Sequence, residues 1–579
     1  MPSPSNPGDR VPLANASNQC SSPGAADSDD VSAQLVTARL SQRDPFTIVR
    51  HLIQEVGRER YRYEVQCTLV EPEQTATGRL WSRSINQLSS TISVIADLTR
   101  LDLLRVLAFT QKQLRRSILN LLDLPDIGDI LNSLFADAEN DTTLGAVDLR
   151  IATVPMDLLA LAFAQLALSD SNPGSAGMRG AFLELSSILV EDYAGEPTLN
   201  LALALFLQHI CALHISTSNR SRALIGQAVQ VSHDIGIGKR HPEGRSLAAL
   251  RFYVLLCFAD QYCAMIHSTV PFIKTEDCQL SLFEPLLAAY PQLRNLVEVI
   301  ALDGLILSRL HSTLNPYDNI IALEKVIGQV CARVGRPLLQ ASSEEVRPEH
   351  AFDTLVQIHV FWSRIMLRAP LLLSGDYWLS SVCICVRAAQ MLLSNYLRIL
   401  RPGLRVLANT ALSAVGDQLR RELLEATSVP STWRQVRRIT TSVLVVFYAF
   451  WRGEVSHDEA GEAAATAALL LEFERTRWGS AIDEARKTIR DLSNISGLDM
   501  CHYLEKILHK DGDEYLAIFL NRILESEQPH QEHPQNATAG LTINTEAQMY
   551  QPWDSTAAWV FLDWNLDMGD FGDYMPQQY

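Results

Sequence analysis

Residues 199–215 read LNLALALFLQHICALHI, residues 220–237 read RSRALIGQAVQVSHDIGI, and residues 246–267 read SLAALRFYVLLCFADQYCAMIH. The first stretch is apolar on nearly every side, which is the pattern of a helix buried all round and predicts one over Leu199–His214. In the second, Leu224, Ala228, Val231 and Ile235 recur at three- and four-residue spacing. That spacing predicts a helix over Arg220–Ile235 with one buried stripe. Gly236 follows it, and glycine takes the left-handed C′ conformation without a Cβ penalty. The third stretch predicts a helix over Leu247–Ile266, with Ser246 as its N-cap. Three long helices in succession, with only short stretches open to strand formation, point to an all-α fold.

The same periodicity extends outward. Ile92–Leu107 places Ile92, Ile95 and Leu103 on one side. Met156–Leu168 is apolar nearly all round and reads as a central core helix. Further helices are expected over Phe352–Leu367, Tyr377–Leu397, Arg434–Trp451, His457–Thr476 and Ile482–Leu492. No fixed period recurs, which argues against a regular solenoid. Residues 1–45 are rich in Ser, Pro, Asn, Gly and Asp and bury too little apolar area to offset ordering entropy. The expected organisation is a disordered segment over 1–45, a large multi-helix domain over 46–525, and a disordered tail over 526–579.

The chain has 579 residues, 47% of them apolar and 20% charged, which excludes wholesale disorder. No membrane span is expected, because the best candidate, Leu199–Ile215, carries Asn200, Gln208, His209 and His214. The opening MPSPSNPGDR has no apolar core of a secretory signal, so an intracellular protein is expected. The formal net charge is −17, and residues 526–579 hold eight acidic residues with no Lys or Arg. The body is thus nearly balanced, which does not favour non-specific nucleic-acid binding through phosphate contacts.

Catalytic motifs are missing. Gly236-Ile237-Gly238-Lys239 resembles the end of a phosphate-binding loop, but His233 stands where its first glycine belongs and Arg240 follows the lysine. H-E-x-x-H and G-x-S-x-G do not occur. Cys383 and Cys385 lie two apart on a helix, facing different sides, and read as buried free thiols rather than metal ligands. His267, Glu276, Asp277 and Cys278 read as a solvated loop. The basic clusters Lys112–Arg116 and Arg434–Arg438 read as solvated helix faces. No catalytic residue, metal or cofactor is expected.

Residues 197–280 resemble the middle homology region of fungal zinc-cluster transcription factors. The likeness rests on a helix–Gly–helix–Asp–Pro layout. The second helix supplies Gly226, Ala228, Val229, Asp234, Ile235, Gly236 and Ile237; the third supplies Arg251, Phe252, Tyr253 and Asp260; the following turn supplies Pro271 and Ile273. Two departures stand out. Tyr253-Val254 occupies the place of the family's usual Trp, and Thr269-Val270 that of the Gly-Arg before the Pro. A looser likeness extends to Pro155–Leu168 and to residues 434–493. The resemblance implies family-motif roles for Gly236, Asp260 and Pro271, a nuclear location, and a regulatory helical body used for inhibition, effector sensing or dimer contacts. A pathway-specific regulator, for instance of secondary metabolism, fits the family.

The family's DNA-binding module needs six clustered cysteines, but the ten here fall at 20, 67, 211, 257, 263, 278, 331, 383, 385 and 501. Direct DNA binding is therefore not expected of this sequence. Either the residues encoding the cluster precede it, or the chain reaches DNA through a partner. The last segment, QPWDSTAAWVFLDWNLDMGDFGDYMPQQY over 551–579, interleaves aromatics with acids. That alternation is the composition of an activation segment. An induced helix over Ala557–Met568 would present Trp559, Phe561, Leu562, Trp564 and Leu566 to a coactivator groove or the general transcription machinery. The leading expectation is a non-enzymatic transcriptional regulator. The alternative is a helical adaptor or inhibitor that pairs with a related zinc-cluster regulator; the resemblance also allows a homodimer.

Overall fold

Helix ends in this chain are set by local hydrogen bonds that can be traced to single side chains. Thr99 and Asp102 cap reciprocally: the Thr99 N–H and hydroxyl donate to Asp102 Oδ2 at 3.2 and 2.6 Å. Ser456 and Glu459 form a second such box, and Thr432 with Gln435 a third. Ser246 accepts from the Ala249 N–H at 3.1 Å, as its sequence position predicts.

In the computed structural model the described residues are 45–65, 95–114, 118–136, 142–147, 154–168, 176–215, 218–237, 246–267, 269–278, 280–310, 322–330, 351–373, 377–409 and 432–508, with a few single positions between them. The expected disordered segment 1–45 falls, but for Pro45, outside this set, and the tail 526–579 does so entirely. Among the described residues the protein is all-α with no β-strand, and an isolated bridge joins Thr99 to Thr143.

The helices are α1 (Pro45–Val56), α2 (Arg100–Leu114), α3 (Ile127–Leu134), α4 (Met156–Ala167), α5 (Ala176–Glu191), α6 (Leu199–Ile215), α7 (Ser218–Asp234) and α8 (Leu247–His267). They continue as α9 (Glu284–Ala289), α10 (Arg294–Leu310), α11 (Ala351–Arg368), α12 (Trp378–Asn409), α13 (Trp433–Arg452), α14 (His457–Trp478), α15 (Asp483–Ile495) and α16 (Met500–Leu508). Most pack on their sequence neighbours. α4 lies against α5 and α6, α6 against α7, and α7 against α8. The stack then passes through α10 and α11 to a bundle of α12, α13 and α14, on which α15 and α16 close. α1 is the exception, crossing the whole chain to pack on α13. Apolar side chains from Phe46 to Leu508 form one continuous core.

α8 has the length and apolarity to cross a membrane, but most of it is buried inside the body. It is a core helix of the stack, flanked by α7 and α10.

Several helices differ from the sequence expectation. The helix expected over Ile92–Leu107 is interrupted: residues 95–96 are helical, a turn follows at Asp97, and the Thr99–Asp102 cap starts α2 anew. The helix expected over Tyr377–Leu397 runs on as α12 to Asn409, through Pro402. An interior proline costs about 3 kcal/mol. Burial of Leu400, Leu404, Leu407 and Ala408 on either side of it outweighs that cost. Cys385 is buried as expected, whereas Cys383 is exposed, because residues two apart face different sides of α12.

Candidate functional site

The carboxyl half of α8 and the turn after it are built around one carboxylate. Asp260 is fully buried, and its Oδ2 accepts from the Ile273 N–H at 2.7 Å. The chain therefore leaves α8, reverses, and is pinned back on the helix thirteen residues later. Burial pushes the Asp260 pKa up to about 6, against the backbone N–H groups of Ile273 and Phe272 and the more distant Arg222 charge, which pull it down.

The turn also touches α7. Arg222 donates to the Val270 carbonyl at 3.1 Å, and its guanidinium lies 4.6 Å from the centre of the Phe272 ring. Gly226, one helical turn further on, makes room for that ring: a Cβ there would meet it at 2.9 Å. Deeper in, His209 of α6 holds the Ser221 carbonyl at 2.8 Å, and the Ser221 hydroxyl lies 3.8 Å from the Cys263 sulfur. Cys257, one turn before Asp260, has its thiol against that of Cys278, and burial first and this neighbour second push its pKa well up. Cys257 is thus held as a thiol in the interior, where cysteine behaves as a small apolar residue.

On its other side α8 enters a polar junction shared by five helices. Tyr262 of α8 and Phe258 one turn earlier flank the His359 ring of α11 at 5.4 and 5.1 Å. His359 Nε2 stands 2.8 Å from Asp303 Oδ2 of α10, and both side chains are almost wholly buried. Arg438 of α13 donates to the Tyr262 hydroxyl at 2.8 Å and lies over the rings of Tyr262 and Trp362. Arg434, one turn earlier, lies 5.0 Å over the same tyrosine. Burial works against the Arg438 charge, yet the facing Tyr262 and Tyr396 hydroxyls and Asp303 hold its pKa above the ordinary value. Tyr396 of α12 is pushed up to about 12 by burial, with Arg438 opposing. Chemically the junction is a set of buried charges and rings that fixes the register of α8, α10, α11, α12 and α13.

These contacts correct the reading of Arg434–Arg438 as a solvated face. Arg434 and Arg438 turn onto Tyr262, and Arg437 lies 5.8 Å over the Phe46 ring of α1. Guanidinium groups stack on aromatic faces at little desolvation cost, so a basic run can line an interior. The other basic cluster, Lys112–Arg116, has its basic side chains outside the described residues. The loop expected to be solvated around Glu276–Cys278 has Glu276 exposed but Cys278 buried against Cys257. Among the described residues no three His, Cys, Asp or Glu side chains come together as a metal site.

Of the three family-motif residues, Asp260 and Pro271 belong to the same helix–turn unit. Asp260 anchors the turn that begins at the half-buried Pro271. Gly236 instead ends α7 at φ +80°, where the Ile237 N–H bonds back to Ser232 and the Gly236 N–H to His233. It lies ten residues, about 15 Å of helix, beyond Gly226 and the turn. The tail residues Trp559, Phe561, Leu562, Trp564 and Leu566 lie outside the described residues. The sequence reading missed Tyr262, Asp303, His359 and Arg438. Their only sequence signal is polar or charged residues inside otherwise apolar helical stripes. No protein-family model, curated protein or solved structure matches the chain.

Proposed function

We propose that the protein is a non-enzymatic transcriptional regulator of fungal type, in which a helical body governs an acidic activation tail. The observation that carries the reading is the alternation in residues 551–579, where six Trp, Phe and Tyr residues before Met575 are interleaved with five Asp and no base. Acids keep such aromatics in water until a groove with a basic rim takes them up. The body supports the reading through the Asp260-pinned turn, which joins two elements of the helix–Gly–helix–Asp–Pro layout. Its buried junction joins five helices into one unit suited to transmitting a packing change, with Asp303 and His359 sealed from solvent. The nucleus is the location that goes with this function, and a coactivator is the partner of the tail.

The test fuses residues 540–579 to a heterologous DNA-binding domain in a reporter strain. Activation that is lost on combining Trp559→Ala with Trp564→Ala supports the reading. A silent fusion, or activation indifferent to both substitutions, sinks it. The scatter of the cysteines favours a second reading, an adaptor that acts by pairing with a related regulator. Co-purification of a stable heteromer with a zinc-cluster protein, together with a silent tail, would select it.

A further inference from the structure

α12 buries one side and leaves the other bare. Val382, Cys385, Val386, Ala389, Leu392 and Leu393 are core, on a helix packed against α11, α13 and α14. On the opposite side Leu379, Cys383, Arg387 and Met391 follow one another at four-residue spacing, and all four are exposed, Leu379 by 55%. Residues four apart lie above one another on a helix, so they form a stripe about 18 Å long. A single exposed leucine is ordinary on a folded protein, whereas an aligned apolar row marks a surface that meets another.

The charges beside the stripe are of both signs. Arg387 lies within it, while Arg398, Arg401 and Arg405 lie beyond Met391 and are buried or half-buried. Partial desolvation and then Glu454 push the Cys383 pKa up, and Arg387 pulls it down, so a carboxylate and a guanidinium both stand near that thiol. Glu454 is exposed, in the turn that joins α13 to α14. Glu459 is occupied elsewhere, capping α14 through Ser456 and reaching Gln390, and Arg452 lies over the Tyr448 ring. A strongly acidic partner would meet Glu454, and a strongly basic one Arg387. The pattern instead complements itself. Its four positions are symmetric about Cys385, so an antiparallel two-fold pairing centred there brings Leu379 level with Met391 of the other copy, and Cys383 level with its Arg387. Apolar ends then meet apolar ends. Each Arg387 arrives where Glu454 of the other copy stands, which offsets the repulsion between the two arginines near the axis.

We propose that two copies of this chain pair through the outer stripe of α12, antiparallel about Cys385, with Leu379 of each against Met391 of the other and Arg387 of each beside Glu454 of the other. The interface is an apolar row with a charged centre. It is independent of any activating role of the tail, which lies outside it.

Sedimentation velocity of the full-length chain over a hundredfold range of concentration tests this, and a monomer–dimer equilibrium is expected. Leu379→Glu plus Met391→Glu should weaken the dimer at least tenfold. Arg387→Glu alone should do the same, because it sets carboxylates of both copies around the axis. Adding Glu454→Arg to Arg387→Glu exchanges the two charges and should recover most of the loss. All of these side chains are exposed, and circular dichroism checks that the fold is kept. A short bismaleimide should link Cys383 to Cys383 between chains, as read by peptide mapping, in the wild type and not in the double Glu variant. A chain that stays monomeric throughout would overturn the proposal. So would a dimer indifferent to these substitutions, a charge exchange without recovery, or a link through other cysteines alone. The reporter fusion reads activation and this experiment reads self-association, so either can fail without the other.

Discussion

Asp260 closes a turn from inside the body: its buried carboxylate takes the Ile273 N–H thirteen residues on. Its place late in the third helix was legible, but only the fold shows the carboxylate pinning a turn. Its pKa is raised from the ordinary 3.8 to about 6, so the folded state holds the proton more tightly than the unfolded chain. The resulting stability is fully present below about pH 4 and is lost as pH rises through about 6, up to about 3 kcal/mol for a shift of this size. Asp260→Asn removes that slope. Denaturant unfolding of the two proteins from pH 4 to 7 should therefore show the wild type losing ground to the Asn variant, and parallel profiles would contradict the assignment. At the junction, His359→Leu leaves Asp303 buried without its partner and should cost about 3–5 kcal/mol, with Asp303→Leu added to it recovering much of the loss. A thermal-unfolding cycle over the four proteins measures this; additive losses would remove the pair from the account. The junction was illegible in sequence because nothing in a run such as Arg434–Arg438 says which rings lie opposite. A guanidinium pointing at water and one lying over Tyr262 have the same sequence signature.

Elements were easier to read where local chemistry sets them. Gly236 ends α7 and Ser246 caps α8 for reasons contained in a few neighbouring residues. Misreadings arose where a distant contact or a rival cap decides. The Thr99–Asp102 box splits a stretch whose apolar spacing looks continuous, and core burial carries α12 through Pro402. α1 has a strong apolar side over Phe46, Val49, Leu52 and Ile53, but lies next to a polar, Pro-rich segment that masks its start. The α7–turn contact gives a prediction at this scale. Gly226→Ala places a methyl group against the Phe272 ring, which is partly exposed and able to swing aside. Amide exchange at residues 272–274 should rise severalfold while the global unfolding midpoint moves little. Unchanged exchange would mean that the turn does not depend on α7.

At the scale of the molecule, the body is held together by contacts between its beginning and its end. Arg60 donates to the Trp451 carbonyl, Tyr61 packs 4.7 Å from the Trp451 ring, and the Tyr63 hydroxyl donates to Asp491 at 2.9 Å. The segment after α1 thereby ties α1, which packs on α13, to the end of the chain's described body. Ile53→Ala should destabilise the protein by about 2–5 kcal/mol through the cavity it leaves, and should raise amide exchange in α13 before that in α4–α6. A change confined to α1 would show that α1 is an appendage and not a closing element. The acidic tail belongs to the same scale, since it carries much of the −17 charge in a segment set apart from a nearly balanced body.

The regulator reading is tested most directly by tethering the full-length chain to a heterologous DNA-binding domain and measuring reporter expression at matched protein levels. Expression above the tether alone, lost with Trp559→Ala plus Trp564→Ala, is the expected result. Expression no higher than the tether alone, or expression unchanged by the two substitutions, would contradict it.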